Sequence, residues 1–377
     1  MKPIATARIA PLLLLLLLAA CGDDGPSGPR DDGPSYDGML LGGDVSALAR
    51  IEQWGGVFRD QDGDAGDALE LMRAAGANTF RLRLFVDPDG SDVVVNDLPY
   101  TIALAERVEA TGATLLLDFH FSDTWADPSK QFTPEAWDTL DVDALEAQVE
   151  AYSADVIAQM KAAGVLPDIV QIGNEIDGGL LWPLGKIGWE GYTAPENYER
   201  FGRLLKAGIR GVRSALDDGD DVRIMLHYSN GASTSGTRWF FDHVAQQGVD
   251  YDMIGLSWYP FWHGNLSQLR ANLDATAARY GKPIVVVETT YPWRNGWNPG
   301  GALPGWNAWA FTADGQAAFL RDLLDTVAET PDGLGAGVLW WYPEAIQLSG
   351  RSVWGSGSLS LFHANGEILP AAAVFGE

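Results

Sequence analysis

Two glutamates in this sequence stand where a pair of carboxyl groups can do acid–base work. Glu175 follows Ile169-Val170-Gln171-Ile172-Gly173-Asn174, and Glu288 follows the apolar run Ile284-Val285-Val286-Val287. Hydrolysis of a glycosidic bond needs such a pair, one carboxylic acid to protonate the leaving oxygen and one carboxylate to attack the anomeric carbon. One Glu at the end of an apolar run reads as a loop salt bridge. Two of them, with aromatic residues crowding the segments that follow, read as chemistry.

Other polar residues close apolar runs in the same way. Arg81 and Arg83 are two apart, so in a strand both side chains point to one face. Leu115-Leu116-Leu117-Asp118-Phe119-His120 puts Asp118 and His120 on one face and leads into Asp123 and Trp125. His227 ends a fifth run, Tyr259, Trp262 and His263 follow a sixth, and Trp340 and Trp341 close an eighth. Of 15 Trp, Trp125, Trp182, Trp189, Trp258, Trp262, Trp293, Trp297, Trp306, Trp340 and Trp341 fall at or just after such ends, where flat indole faces would suit a sugar chain.

The elements that must position these residues follow from the rhythm of the chain. Short Val, Ile and Leu-rich runs near 40–46, 79–85, 114–120, 168–174, 222–228, 252–257, 283–288 and 336–341 alternate with amphipathic stretches such as 64–75, 142–163, 195–216, 266–280 and 314–329. Eight strand–helix units predict an α/β fold, a single (β/α)8 TIM barrel over 39–377, whose chemistry gathers at the C-terminal ends of the strands. An open doubly wound sheet is the alternative, but no Gly-rich phosphate fingerprint follows the first strand.

Composition bounds the partners. The chain has 377 residues, 46% hydrophobic, with 25 Lys+Arg against 51 Asp+Glu for a net charge of -26. That field opposes nucleic acid and other polyanions, so a neutral ligand is expected. Residues 1–20 read as a secretory signal: Lys2 and Arg8 precede an apolar run from Leu12 to Leu18 that is too short to span a bilayer. The single cysteine, Cys21, directly follows Leu18-Ala19-Ala20, which resembles a bacterial lipobox and implies a lipid-modified N-terminus on an exported protein of the cell envelope. Membrane contact is then expected only through that anchor. Residues 21–38 read as a flexible acidic Gly/Pro/Ser tether, and thiol catalysis and Cys-ligated zinc are excluded from the folded part.

Longer strings narrow the reading. Gly43-Asp44-Val45-Ser46, DFHFSDTWADP over 118–128, Gln171-Ile172-Gly173-Asn174-Glu175, Leu181-Trp182-Pro183, Tyr259-Pro260-Phe261-Trp262-His263-Gly264 and Glu288-Thr289-Thr290-Tyr291-Pro292-Trp293 resemble the family 53 glycoside hydrolases, the endo-β-1,4-galactanases, over 39–377. The resemblance implies a retaining enzyme acting on galactan or type I arabinogalactan side chains of pectin as a monomer, without a cofactor. It makes Glu175 the acid/base and Glu288 the nucleophile, with Asn174 on the sugar 2-hydroxyl, Tyr259 bonded to Glu288, and Arg81 or Arg83 holding its charge. Asp44, Asp118, His120, His227 and His263 are expected to contact hydroxyls or brace the site, each His having a purely structural alternative. Asp123, Trp125 and Trp262 join them as substrate-binding candidates, and Trp341 is expected beneath the cleaved sugar.

The sequence also departs from that family. Ser257-Trp258-Tyr259-Pro260 stands where Ser-Tyr-Tyr-Pro is common, and Trp341-Tyr342-Pro343-Glu344 displaces the carboxylate of Trp-Glu-Pro. The loop Arg294–Gly300 lacks the Asp/His/Asn alternation that supplies calcium ligands in bacterial relatives, so no metal is assigned. Another β-linked glycan, such as a mannan or glucan, and a non-catalytic glycan-binding lipoprotein remain as alternative readings.

Overall fold

The computed structural model describes residues 34–377; Cys21, the signal and most of the tether lie outside the described residues. Eight parallel strands form a closed barrel: β1 (Leu40–Asp44), β2 (Thr79–Leu84), β3 (Thr114–Phe119), β4 (Ile169–Ile172), β5 (Arg223–Tyr228), β6 (Met253–Ser257), β7 (Ile284–Thr289) and β8 (Gly335–Trp341). Each pairs with its sequence neighbours, and β1 closes the ring by pairing with both β2 and β8.

Each strand is followed by a helix that covers the outside: α1 (Ala68–Ala74), α2 (Leu98–Ala110), α3 (Val142–Ala162), α4 (Pro195–Ser214), α5 (Thr234–Gln246), α6 (Leu266–Tyr280), α7 (Ala313–Ala328) and the short α8 (Pro370–Ala373). The starts are set by local chemistry, since Asp67, Asp97, Asp141, Ser233, Asn265 and Thr312 each accept backbone N–H groups at a helix N-terminus.

Alternation along the strands separates two cores. Phe80, Leu82, Leu115, Leu117, Ile224, Leu226, Val338 and Trp340 point outward into the large apolar layer beneath the helices. Leu40, Leu116, Ile169, Met225, Met253, Val285, Val287 and Leu339 form a smaller apolar plug inside the barrel. Further along the inward faces lie Asp44, Arg81, Asp118, Gln171, His227, Ser257 and Trp341, so the barrel interior turns from apolar to polar on approaching its mouth.

Strand β7 breaks this alternation. Val285 and Val287 already face inward, and strict period two would send Glu288 toward the helices. The register against β6 slips there: Leu256 faces Val286, but Ser257 faces Glu288. This irregularity turns Glu288 into the mouth.

The folded body also begins slightly before the expected boundary at Met39. Tyr36 is buried in the outer core, and its hydroxyl donates to Asp325 Oδ1 at 2.6 Å.

Candidate active site

Strand β4 ends at Ile172, and the chain then turns sharply through Gly173 (φ 82°) and Glu175 (φ 46°). A left-handed conformation at a non-glycine residue carries local strain, and the surroundings hold it in place. The buried side chain of Gln131 donates from Nε2 to the carbonyls of Asn174 (2.8 Å) and Glu175 (3.2 Å). Glu175 thereby points into the mouth rather than continuing the strand.

Glu288 faces it from β7. Its Oε1 accepts from Arg81 Nη1 at 2.9 Å and its Oε2 from the Tyr259 hydroxyl at 3.0 Å. Arg81 is fully buried and also donates to Asp44 Oδ2 (3.2 Å), Asp118 Oδ2 (2.9 Å) and Asn174 Oδ1 (2.8 Å). Burial alone would weaken its charge, but Asp118, Glu288 and Asp44 outweigh that and hold it protonated. Of the two arginines, it is thus Arg81 that meets Glu288. Arg83 reaches Asp44 Oδ1 (3.5 Å), the Tyr342 hydroxyl (3.3 Å) and the Val93 carbonyl (3.2 Å), with its guanidinium 4.5 Å from the centre of the Trp125 ring.

Among the described residues, Glu175 has no arginine partner. Its Oε1 accepts from the Ser257 hydroxyl at 2.7 Å. Burial, and then the charge of Glu288, push its carboxyl well above the usual range. Burial also raises Glu288, but Arg81 and Tyr259 favour its carboxylate and leave it at about 7. The pair therefore titrates as a unit that carries one proton over an intermediate pH range, with the proton on Glu175. Tyr259 is held far above its ordinary value, by burial first and Glu288 second, and stays a hydrogen-bond donor.

The cavity above these groups has a volume of about 610 Å³. Eight of the residues singled out from the sequence line it: Trp125, Asn174, Glu175, Tyr259, Trp262, His263, Glu288 and Trp341. Six others lie beneath it. Asp44, Arg81, Arg83, Asp118, His120 and His227 are all buried and interlinked, and they brace the lining rather than form it. Asp118 also accepts from Gln171 Nε2 at 2.6 Å; burial opposes its charge, yet Arg81 and His120 hold it below the usual carboxylate range. Burial lowers His227 well below its ordinary value and His263 to about 4, so both imidazoles are neutral at neutral pH.

Asp123 is not brought to the cavity. Its two oxygens accept the backbone N–H groups of Asp87 (3.0 Å) and Glu135 (2.8 Å), which ties the β2 and β3 loops together. Most of the tryptophans singled out from the sequence are also elsewhere. Trp340 faces outward and Trp258 stacks on Phe319 of α7, both fully buried. Trp182 and Trp189 enclose the Lys186 ammonium, Trp293 donates to the Gly357 carbonyl, and Trp297 and Trp306 pack around Phe261. Only Trp125, Trp262 and Trp341 of that set line the cavity.

The sequence reading missed Trp354, which lines the cavity from the segment after β8 and packs 5.9 Å from Trp262. It also assigned no role to Gln131, Gln171 or Ser257. Gln171 carried a usable signal, being the one polar residue within an otherwise apolar strand.

The comparisons agree with this architecture. Residues 40–375 match the model of Glycosyl hydrolase family 53. A Niallia circulans protein encoded in the bgaB 5′ region is 42% identical, the match covering 88% of this chain and 92% of that protein. Arabinogalactan endo-β-1,4-galactanase A of Aspergillus niger is 35% identical, over 89% of this chain and 93% of its own. Among solved structures, the Ignisphaera aggregans family 53 catalytic domain superposes with a TM-score of 0.81 at 32% identity, covering 90% of this chain and 95% of that domain. A fungal β-1,4-galactanase gives the same TM-score and identity, over 90% and 99%. The chain belongs to glycosyl hydrolase family 53.

Proposed function

We propose that the protein is an endo-β-1,4-galactanase that hydrolyses galactan or arabinogalactan with retention of configuration. The observation that carries this reading is the asymmetric pair in one aromatic-lined cavity. Glu288 is held by a guanidinium and a phenol, whereas Glu175 is held by a neutral hydroxyl and keeps its proton. The family match and the galactanase relatives support the bond and the sugar.

In the first step Glu288 attacks the anomeric carbon while Glu175 gives its proton to the departing glycosidic oxygen, leaving a galactosyl ester on Glu288. In the second, the Glu175 carboxylate takes a proton from water, whose oxygen attacks the same carbon and releases Glu288. Two inversions return the β-configuration. Asn174, fixed by Arg81 and by its own donation to the Ala126 carbonyl at 2.9 Å, presents its amide to the sugar 2-hydroxyl. Trp341 lies under the cleaved sugar, with Arg81 5.6 Å behind its ring.

The N-terminal signal and Cys21 support export and lipid anchoring at the cell envelope, and the neutral substrate suits a chain of net charge -26. Incubation with pure galactan, arabinogalactan, mannan and cellulose tests the proposal. Release of galacto-oligosaccharides from the first two is expected, and release from mannan or cellulose alone would overturn it.

A further inference from the structure

A second set of contacts surrounds Glu175, of which the proposed function uses only the Ser257 hydroxyl. The Glu175 backbone N–H donates to His227 Nδ1 at 3.2 Å. His227 Nε2 lies 2.9 Å from Ser257 Oγ, and the Ser257 hydroxyl donates to Glu175 Oε1 at 2.7 Å. The three contacts start and finish on the same residue.

We infer that His227 and Ser257 close a one-way hydrogen-bond ring on Glu175 that confines its acidic proton to Oε2. The inference rests on the reading of Glu175 as acid/base. A backbone N–H cannot reverse, so its contact makes His227 Nδ1 the acceptor. Asn174 Oδ1, which accepts from Arg81 Nη2 at 2.8 Å, is also 3.0 Å from Nδ1 and has a second lone pair that the opposite tautomer would use, so the direction of the ring turns on the tautomer. A neutral imidazole bare at Nδ1 carries its proton on Nε2, and there it donates to Ser257 Oγ. The serine proton is then directed to Glu175 Oε1. That oxygen stays an acceptor whether Glu175 is acid or base, so the transferable proton resides on Oε2 in the first step and returns there in the second.

Burial raises the Glu175 carboxyl most, and one member of the ring, Ser257, works against that rise. Glu288 on β7, Asp127 from the β3 loop and Asp177 from its own loop all raise it, while the Ser257 donor opposes them. Tyr259 packs beside it as a neutral phenol, His263 and Lys130 line the same cavity, and Arg81 acts through His227 and Asn174. Ser257 and His227 are thus positioning residues, acting on the sugar only through Glu175.

The direct test is the tautomer. In 15N NMR of imidazole-labelled wild-type enzyme, which has five histidines, His227 should be protonated at Nε2 and bare at Nδ1; the opposite tautomer or an imidazolium at pH 7 overturns the ring. The functional test is Ser257→Ala. Losing a donor to the carboxylate should raise the alkaline limb of kcat/KM on galactan by about one pH unit. It should also slow hydrolysis of the galactosyl-enzyme about tenfold, seen as a lower kcat with a lower KM on aryl β-galactosides with good leaving groups. Ser257→Thr should restore both. A uniform loss of activity with the limb unmoved would assign Ser257 a merely structural part and overturn the inference. Glu175→Gln separates the two claims. If it is inactive and azide restores turnover of the aryl galactosides, the acid/base reading stands whatever Ser257 does; if it is fully active, that reading fails first.

Discussion

Arg81 is the group on which the pair depends most, and Arg81→Lys perturbs it without removing the positive charge. The guanidinium serves four acceptors from two nitrogens at 2.8–3.2 Å, in a planar arrangement that a single ammonium cannot reproduce. If the lysine keeps Asp118 or Asp44, the contact to Glu288 is lost. A buried charge-assisted hydrogen bond contributes about 1.5–3 kcal/mol, and one pKa unit corresponds to 1.36 kcal/mol, so Glu288 should rise by about one to two units.

Burial has already lifted Glu288 to about 7, so the further rise leaves it mostly protonated at neutral pH. The sign follows from the chemistry: Glu288 must be ionised to attack, and a raised pKa leaves less of it ionised below neutrality. At pH 6 the ionised fraction, and with it kcat/KM on galactan, should fall by about ten- to hundredfold, with a smaller loss at pH 9. The assay is reducing-end release across pH 5–9 on protein shown to be folded, since disturbing a buried pair can itself cost about 3–5 kcal/mol of stability. A folded Arg81→Lys enzyme with its acid limb unmoved and kcat/KM at pH 6 within threefold of wild type would refute the argument.

Trp341→Ala should lower kcat/KM on galactan by at least about tenfold, or about 1.4 kcal/mol of transition-state binding. Because only 9% of Trp341 is exposed, the melting temperature should fall as well; normal kcat/KM well below that transition would make Trp341 a core residue. Glu344 is buried, accepts the Ala47 N–H at 2.9 Å through Oε1, and is raised to about 8 by burial and then by Asp44. A carboxyl raised on folding stabilises fully below its unfolded value and loses that contribution as pH climbs toward 8. Glu344→Gln should therefore melt several degrees above wild type at pH 8 and level with it at pH 4, and equal melting curves at pH 8 would contradict this. Cys21→Ser should abolish membrane fractionation and the lipid mass increment, and unchanged partitioning would refute the anchor.

The barrel was legible because its signals are local. Apolar runs of strand length, helices as well patterned as 266–280, and polar residues stopping each run locate the strand ends to within about two residues. Sequence also marks the glutamates, but not how Glu288 comes to face inward, since a register slip against a neighbouring strand leaves no trace in the strand's own pattern. Trp340 and Trp341 illustrate the same limit. Adjacent tryptophans point to opposite faces, and only the pleat decides which one meets the cavity.

Residues acting through loops were the least visible. Trp354 belongs to a Gly- and Ser-rich segment without periodicity, and Asp123 offered the same polar signature whether it bound a sugar or two backbone amides. Ser257 could be quoted as part of a motif, yet its bond to Glu175 depends on β4 and β6 standing on either side of β5, a relation set by the order of strands in the sheet.

The account stands on Glu288 as the attacking carboxylate. An activated 2-deoxy-2-fluoro-β-galactobioside slows breakdown of the ester more than its formation, so the intermediate should accumulate and can be located by peptide mass spectrometry. The account predicts a single galactobiosyl adduct on the peptide carrying Glu288, with loss of activity in proportion. An adduct on Glu175, or complete turnover with no adduct on either glutamate, would contradict it.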